Sequence, residues 1–204
     1  MSWTGAALAV GGVLVALINL VLTPRVMTGA PFEQTAATST YLLRQSLSAF
    51  AVGLLLFGSI GVYLSYAERR KVFGGVAFVV AFVGSALVVA WEWVDIFVLH
   101  ELALSAPETL AALESAPGVS LYDLGAIIPF SLFGLGWIAL ATWSWLVTRS
   151  FRTPASLIVV GLLSAPVLGA VMGPKWGAAI GNAIFGCGLC FLGLQVRWVA
   201  QTRV

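Results

Sequence analysis

The charged residues are sorted. All but three of the 18 Asp, Glu, Lys and Arg side chains lie outside six long apolar stretches, and their signs differ between the two sets of connections. Only Glu92, Asp95 and Asp123 fall within a stretch. The stretches cover about 3–23, 47–66, 73–97, 123–147, 156–173 and 176–196. A bilayer core about 30 Å thick needs roughly 20 apolar residues per crossing helix. Backbone groups in hydrocarbon must pair within their own segment, so each stretch is predicted to be helical. The expected fold is therefore all-α, an integral membrane bundle of six transmembrane helices forming one domain over 1–204. The fifth stretch is the shortest and carries Pro166, which predicts a kink or incomplete depth.

Composition agrees. The 204 residues are 60% hydrophobic and 9% charged, against about 25% charged in a soluble domain. A net charge of +2 and the lack of a basic run argue against nucleic acid as a partner. The bilayer is the partner that composition demands. Residues 3–23 lack a basic n-region and a small-residue cleavage site, and read as a retained span. The expected location is a cell membrane, of the bacterial cytoplasmic type.

Orientation follows from the loops. Glu68, Arg69, Arg70, Lys71, Arg149, Arg152, Arg197 and Arg203 flank one side, a net of +6. Arg25, Arg44 and Lys175 face Glu33, Glu92, Asp95, Glu101, Glu108, Glu114 and Asp123 on the other, a net of −4. Short basic loops stay in the cytoplasm, which predicts cytoplasmic N and C termini. The long connections 24–46 and 98–122 then lie outside. In the second, Ser105-Ala-Pro-Glu108 reads as a capping box opening a short amphipathic helix over 106–115, stopped by Pro117-Gly118. Leu110 and Leu113 share its apolar face, predicted to rest on the membrane surface. Ser120-Leu-Tyr-Asp123 is a second capping box. Thr38 to Gln45 holds neither Gly nor Pro, which allows span two to extend outward.

Glu92 and Asp95 are three apart and share a helix face. At about 1.5 Å per residue they stand roughly 28 and 33 Å above Phe73, and Arg44 stands at about 33 Å on the neighbouring span. The predicted arrangement pairs Arg44 with one of the two carboxylates. In the bland reading this ion pair only orients two helices. In the functional reading it lines a polar pocket, with Glu92 and Asp95 as catalytic acids or cation ligands. Trp91, Trp93 and Phe97 offer aromatic surface for an apolar or cationic small molecule, although an interfacial belt explains them as well. Asp123 could reach the same mouth, while its capping box already accounts for it. The lone His100 predicts no metal site, since zinc asks for three or four ligands, and no cofactor is implied. Cys187-Gly-Leu-Cys190 has CxxC spacing but no second pair to relay electrons, and reads as small buried residues.

Small residues on the spans read as helix contacts: Gly177 and Gly181, then Gly53, Gly58 and Gly61, then Gly134 and Gly136. Asn182 is placed to hydrogen-bond across helices. The Trp91-Glu92 step on a membrane helix resembles the Trp-Glu step of transmembrane terpene cyclases. Over those two residues the resemblance implies an intramembrane carboxyl acting as an acid.

Three functions remain open from the residues. A non-catalytic subunit or sensor in a membrane complex, with a membrane-protein partner or a second copy, is the first expectation. A membrane enzyme using Glu92 as general acid on an isoprenoid-like or lipid substrate, and a small-solute or cation transporter, are the alternatives.

Overall fold

The computed structural model describes residues 2–65, 71–115 and 118–202. Among the described residues every regular element is a helix. Six helices are long and apolar enough to cross a membrane: Trp3–Val26, Ser39–Ser65, Val72–Ser105, Tyr122–Val147, Arg149–Met172 and Pro174–Val199. We name α1 (Ser2–Val21), α2 (Thr23–Val26), α3 (Phe32–Ala36), α4 (Ser39–Ser65), α5 (Lys71–Val94), α6 (His100–Ser105), α7 (Pro107–Glu114), α8 (Leu121–Val147), α9 (Arg152–Met172) and α10 (Pro174–Thr202).

Span two starts at Ser39, as the Gly- and Pro-free run over 38–45 allows. Two other boundaries differ from expectation, both toward longer helices. Span three runs on past Val94 through a π-helical turn, Asp95–Leu99, into α6. The fifth span has full crossing length, because α9 continues through Pro166. A membrane helix tolerates proline where neighbours or nearby Ser side chains take up the freed carbonyl.

The six long helices form a closed ring in chain order. α1 packs on α4, α4 on α5, α5 on α8, α8 on α9, α9 on α10, and α10 on α1. Short connections impose antiparallel neighbours, but closure between the first and last helices needs a matched surface. Small residues supply it. Gly5 and Gly12 on α1, and Gly186 and Gly193 on α10, are each seven residues apart and so share a face. A Cβ on Gly12 would lie 2.5 Å from the Cys190 amide nitrogen and the Gly186 carbonyl oxygen. Gly5 sits 2.7 Å, by the same measure, from the Arg197 backbone nitrogen. The start of α1 and the end of α10 therefore lie side by side, at what we call the terminal end of the ring.

The expected glycine contacts are mostly present. Gly177 and Gly181 meet Gly169 and Ala165 of α9, Gly58 and Gly61 meet Leu8 and Thr4 of α1, and Gly136 meets Ala81 of α5. Gly53 and Gly134 are corrections, since a Cβ at either would meet nothing within 4 Å. Neither one mediates helix packing.

Large side chains fill the ring toward the terminal end. Trp137, Phe185, Leu55, Leu189, Leu192 and Val62 are fully buried in one continuous core. The Trp137 indole N–H donates to Ser85 Oγ at 3.1 Å, which satisfies its one donor inside the buried core. Trp137→Phe removes that donor and should lower stability by about 1 kcal/mol. Unfolding in detergent, followed by circular dichroism, measures it.

The opposite end carries a cap with its own small core of Ala36, Tyr41, Leu99, Ala103 and Leu110. His100 Nδ1 lies 2.6 Å from the Ala36 carbonyl oxygen and ties α6 to α3. The short helix α7 is present, but the Ser105 capping box is not. Ser105 is still the last residue of α6, where its hydroxyl donates to Glu101 O. Ala106 is the N-cap, with Pro107 at N1. Leu110 is buried in the cap while Leu113 is exposed, so the two do not form one membrane-facing surface. Gly118 adopts φ +85 after α7, and Pro117 lies outside the described residues. The Ser120 capping box is complete: Asp123 N–H donates to Ser120 Oγ, and the Asp123 carboxylate accepts from the Ser120 amide at 2.8 Å.

Candidate functional site: a carboxyl-bearing cavity on the ring axis

The inward stripe of span three reads Ala77, Ala81, Ser85, Val88, Glu92, Asp95 and Leu99, all buried. Their spacings of three and four mark one helical face. The same spacing that sends Ala and Val inward sends both carboxyls inward. Glu92 is 4% exposed and Asp95 6% exposed. The π-turn begins at Asp95, and single π-turns inside α-helices are frequent at functional sites.

Asp95 is held by α4. The Gln45 side-chain amide donates to Asp95 Oδ2 and, at 3.5 Å, to the Tyr41 hydroxyl. Tyr41 also faces the Asp95 carboxylate. Arg44 is in the right place but makes different contacts from those expected. Its Nε donates to Thr23 Oγ1 at 3.2 Å, and a terminal guanidinium nitrogen donates to Gln45 Oε1. Arg44 thus reaches Asp95 through Gln45 and not by a direct ion pair. Gln45 follows Arg44 in sequence and lies on the side of α4 facing span three, so the shorter side chain fills the gap first.

The network continues across the ring. Thr23 Oγ1 donates to Asn19 Oδ1 at 3.1 Å, Asn182 Nδ2 donates to the same oxygen at 3.2 Å, and Asn19 Nδ2 donates to Val15 O at 2.9 Å. The expected cross-helix bond of Asn182 is therefore made, to Asn19. These groups border a cavity of about 200 Å³ on the ring axis, to which all six long helices contribute. Its polar lining is Asn19, Arg44, Ser48, Glu92 and Asn182, and its apolar walls include Phe130, Phe133, Gly134, Leu162 and Phe185. The open space beside Gly134 borders this cavity.

Glu92 is the exception in an otherwise satisfied network. Its Oε2 is buried and has no hydrogen-bond partner. An unsatisfied buried polar atom costs about 1–3 kcal/mol, and more if charged. A group in that state, on a residue that lines a cavity, is the strongest signal of a ligand in this protein.

The remaining residues singled out in the sequence lie elsewhere. Trp93 and Phe97 are 55% and 61% exposed, stacked on each other at 4.9 Å between ring centroids. They border an outer groove beside Phe50 and Phe57. Trp91 packs on Tyr122 of α8, at 5.4 Å between ring centroids. None of the three lines the cavity. Asp123 is committed to its cap. Cys187 is exposed and Cys190 half-buried, both as free thiols. Among the described residues no three His, Cys, Asp or Glu side chains converge as a metal site would require. Sequence reasoning missed Gln45, Thr23 and Tyr41, and it missed the phenylalanines of α8 and α10. A Gln next to an Arg at the predicted depth of the two carboxyls was a usable signal. The phenylalanines carried none, because every face of their helices is apolar.

The chain is an all-helical bundle with six spans of membrane-crossing length and apolarity, built around a carboxyl-bearing cavity. Compared with family models, curated proteins and solved structures, it matches none.

Proposed function

We propose that this protein is a non-catalytic membrane protein of the sensor class. Its central cavity takes a small solute that offers Glu92 a hydrogen bond or a positive charge. The observation carrying this reading is the buried, unpartnered Glu92 oxygen at a cavity shared by all six spans. Recognition is the chemistry these residues support: one free acceptor, the Arg44 guanidinium as a donor, and an apolar wall. Among the lining residues Ser48 carries the one hydroxyl, and no cysteine or histidine accompanies it. Toward the terminal end the ring is filled by Trp137, Phe185 and Leu189, which supports binding over passage. In this proposal the cap faces outward and the terminal end, with Arg149, Arg152 and Arg197, faces the cytoplasm.

A second reading, proton donation by Glu92 to an apolar substrate, is supported by the same enclosed carboxyl. Cavity volume argues against a long substrate: a void of about 150 Å³ holds benzene, and about 200 Å³ falls short of an isoprenoid chain.

The test is thermal unfolding in detergent at constant ionic strength, across a panel of small amines, alcohols and amides. Tryptophan emission is the readout, with 8 tryptophans in the chain. At least one solute should raise the midpoint saturably; a ligand at a hundred times its Kd adds about 2.7 kcal/mol. Gly134→Leu, which fills the cavity, should remain folded and lose the response. If no solute in the panel acts saturably, the proposal is wrong.

A further inference from the structure

We infer that the cavity selects a small monovalent alkylammonium ion, held by Glu92 against the rings of Phe130, Phe133 and Phe185. This rests on the binding role proposed above and gives its ligand a chemical class.

The first argument is charge. Two acids and one base lie at the cavity and the network beside it, Glu92, Asp95 and Arg44, with the Tyr41 hydroxyl next to Asp95. Asp95 has its donor in Gln45, and Arg44 has its acceptors in Thr23 and Gln45. Glu92 is therefore the acid left without a counter-charge or a donor, and its Oε2 has no partner. The other groups around the cavity, Asn19, Asn182 and Ser48, are neutral. An ionised carboxyl without a counter-charge is costly in a poorly solvated place. A single positive charge removes both defects. An anion would worsen them.

The second argument is the wall. The side of the cavity formed by α8 and α10 presents three phenylalanines and no carbonyl-rich loop. Ring faces attract an ammonium group placed within about 6 Å of the centroid. Calcium or magnesium needs a shell of six or more oxygens and zinc three or four protein ligands, and one free carboxylate with amides supplies neither. A small inorganic ion would have to bring its water into an apolar space. An alkylammonium ion presents methyl groups to the rings and its N–H to Glu92. Four heavy atoms fit easily where about 200 Å³ is open.

The experiment compares three probes on the full chain in detergent micelles at constant ionic strength. They are trimethylammonium chloride, tert-butanol as a neutral donor of the same size, and sodium chloride. Thermal midpoint and isothermal titration calorimetry are the readouts. Trimethylammonium should stabilise saturably and the other two should not. Glu92→Gln should weaken its binding by about tenfold or more, and Phe133→Leu by roughly three- to tenfold. Phe133→Leu keeps the test decisive if Glu92→Gln fails to fold. Equal binding of tert-butanol or of sodium overturns the alkylammonium inference while leaving a ligand site at Glu92 intact. Unchanged trimethylammonium binding in either variant also overturns it. Silence from these probes and from the whole solute panel overturns both the inference and the binding role.

Discussion

Arg44→Met should be the most damaging single side-chain change in the ring, lowering stability by about 3–5 kcal/mol. Among the described residues the guanidinium is the only positive group beside two buried carboxyls, Glu92 and Asp95. Its removal leaves both without compensation, and it strips donors from Thr23 Oγ1 and Gln45 Oε1. Breaking one side of a buried charge arrangement costs far more than the arrangement contributes as a whole. The second site of the cycle is Glu92. Combining Arg44→Met with Glu92→Gln removes one charge of each sign and should restore a substantial part of the loss. Chemical unfolding in mixed micelles gives all four free energies. A stable Arg44→Met protein, or a double variant no better than the single one, contradicts the electrostatic account of this site.

The second large effect concerns ring closure. Gly12→Leu places a Cβ 2.5 Å from the backbone of α10 at Cys190 and Gly186. Both obstacles are main chain, so the helices must separate. The expected loss is about 3 kcal/mol, because close backbone approach is the main attraction between helices where lipid is as apolar as leucine. Gly53→Ala is the matched control. Gly53 is also a mid-helix glycine, but a Cβ there meets open space. It should be neutral or stabilise by up to about 1 kcal/mol through helix propensity. Thermal midpoints of the two variants in the same detergent should move in opposite directions or differ widely. Equal effects would mean that the α1–α10 seam does not depend on its glycines.

The pair Gly12 and Gly53 also shows where sequence reading stops. Both are glycines in apolar helices, and the same rule predicts a helix contact for both. Only one makes it. The seven-residue repeat of Gly5 and Gly12, matched by Gly186 and Gly193, was a legible sign of a close seam. No equivalent repeat surrounds Gly53. The carboxyls tell a similar story. That Glu92 and Asp95 share a face, with Arg44 at the same depth, follows from helical spacing and rise alone. That Gln45 stands between Arg44 and Asp95 does not follow from it. The aromatic partners were harder still. Trp93 and Phe97 are close to Glu92 in sequence, yet turn outward. Phe133 and Phe185 are remote in sequence and line the cavity.

What the residue order determined by itself is the helical state and the number of helices long and apolar enough to cross a membrane. Each is a property of one segment in contact with hydrocarbon, so transfer energy and backbone pairing settle it locally. Only the tertiary structure decided that the six helices close into a ring, which faces meet, and that Glu92 is left unpartnered beside a cavity. Helices apolar on every face have no polar stripe to point the way inward. Their contacts are chosen by the fit of small residues across the chain, which becomes visible only once first and last helices lie together.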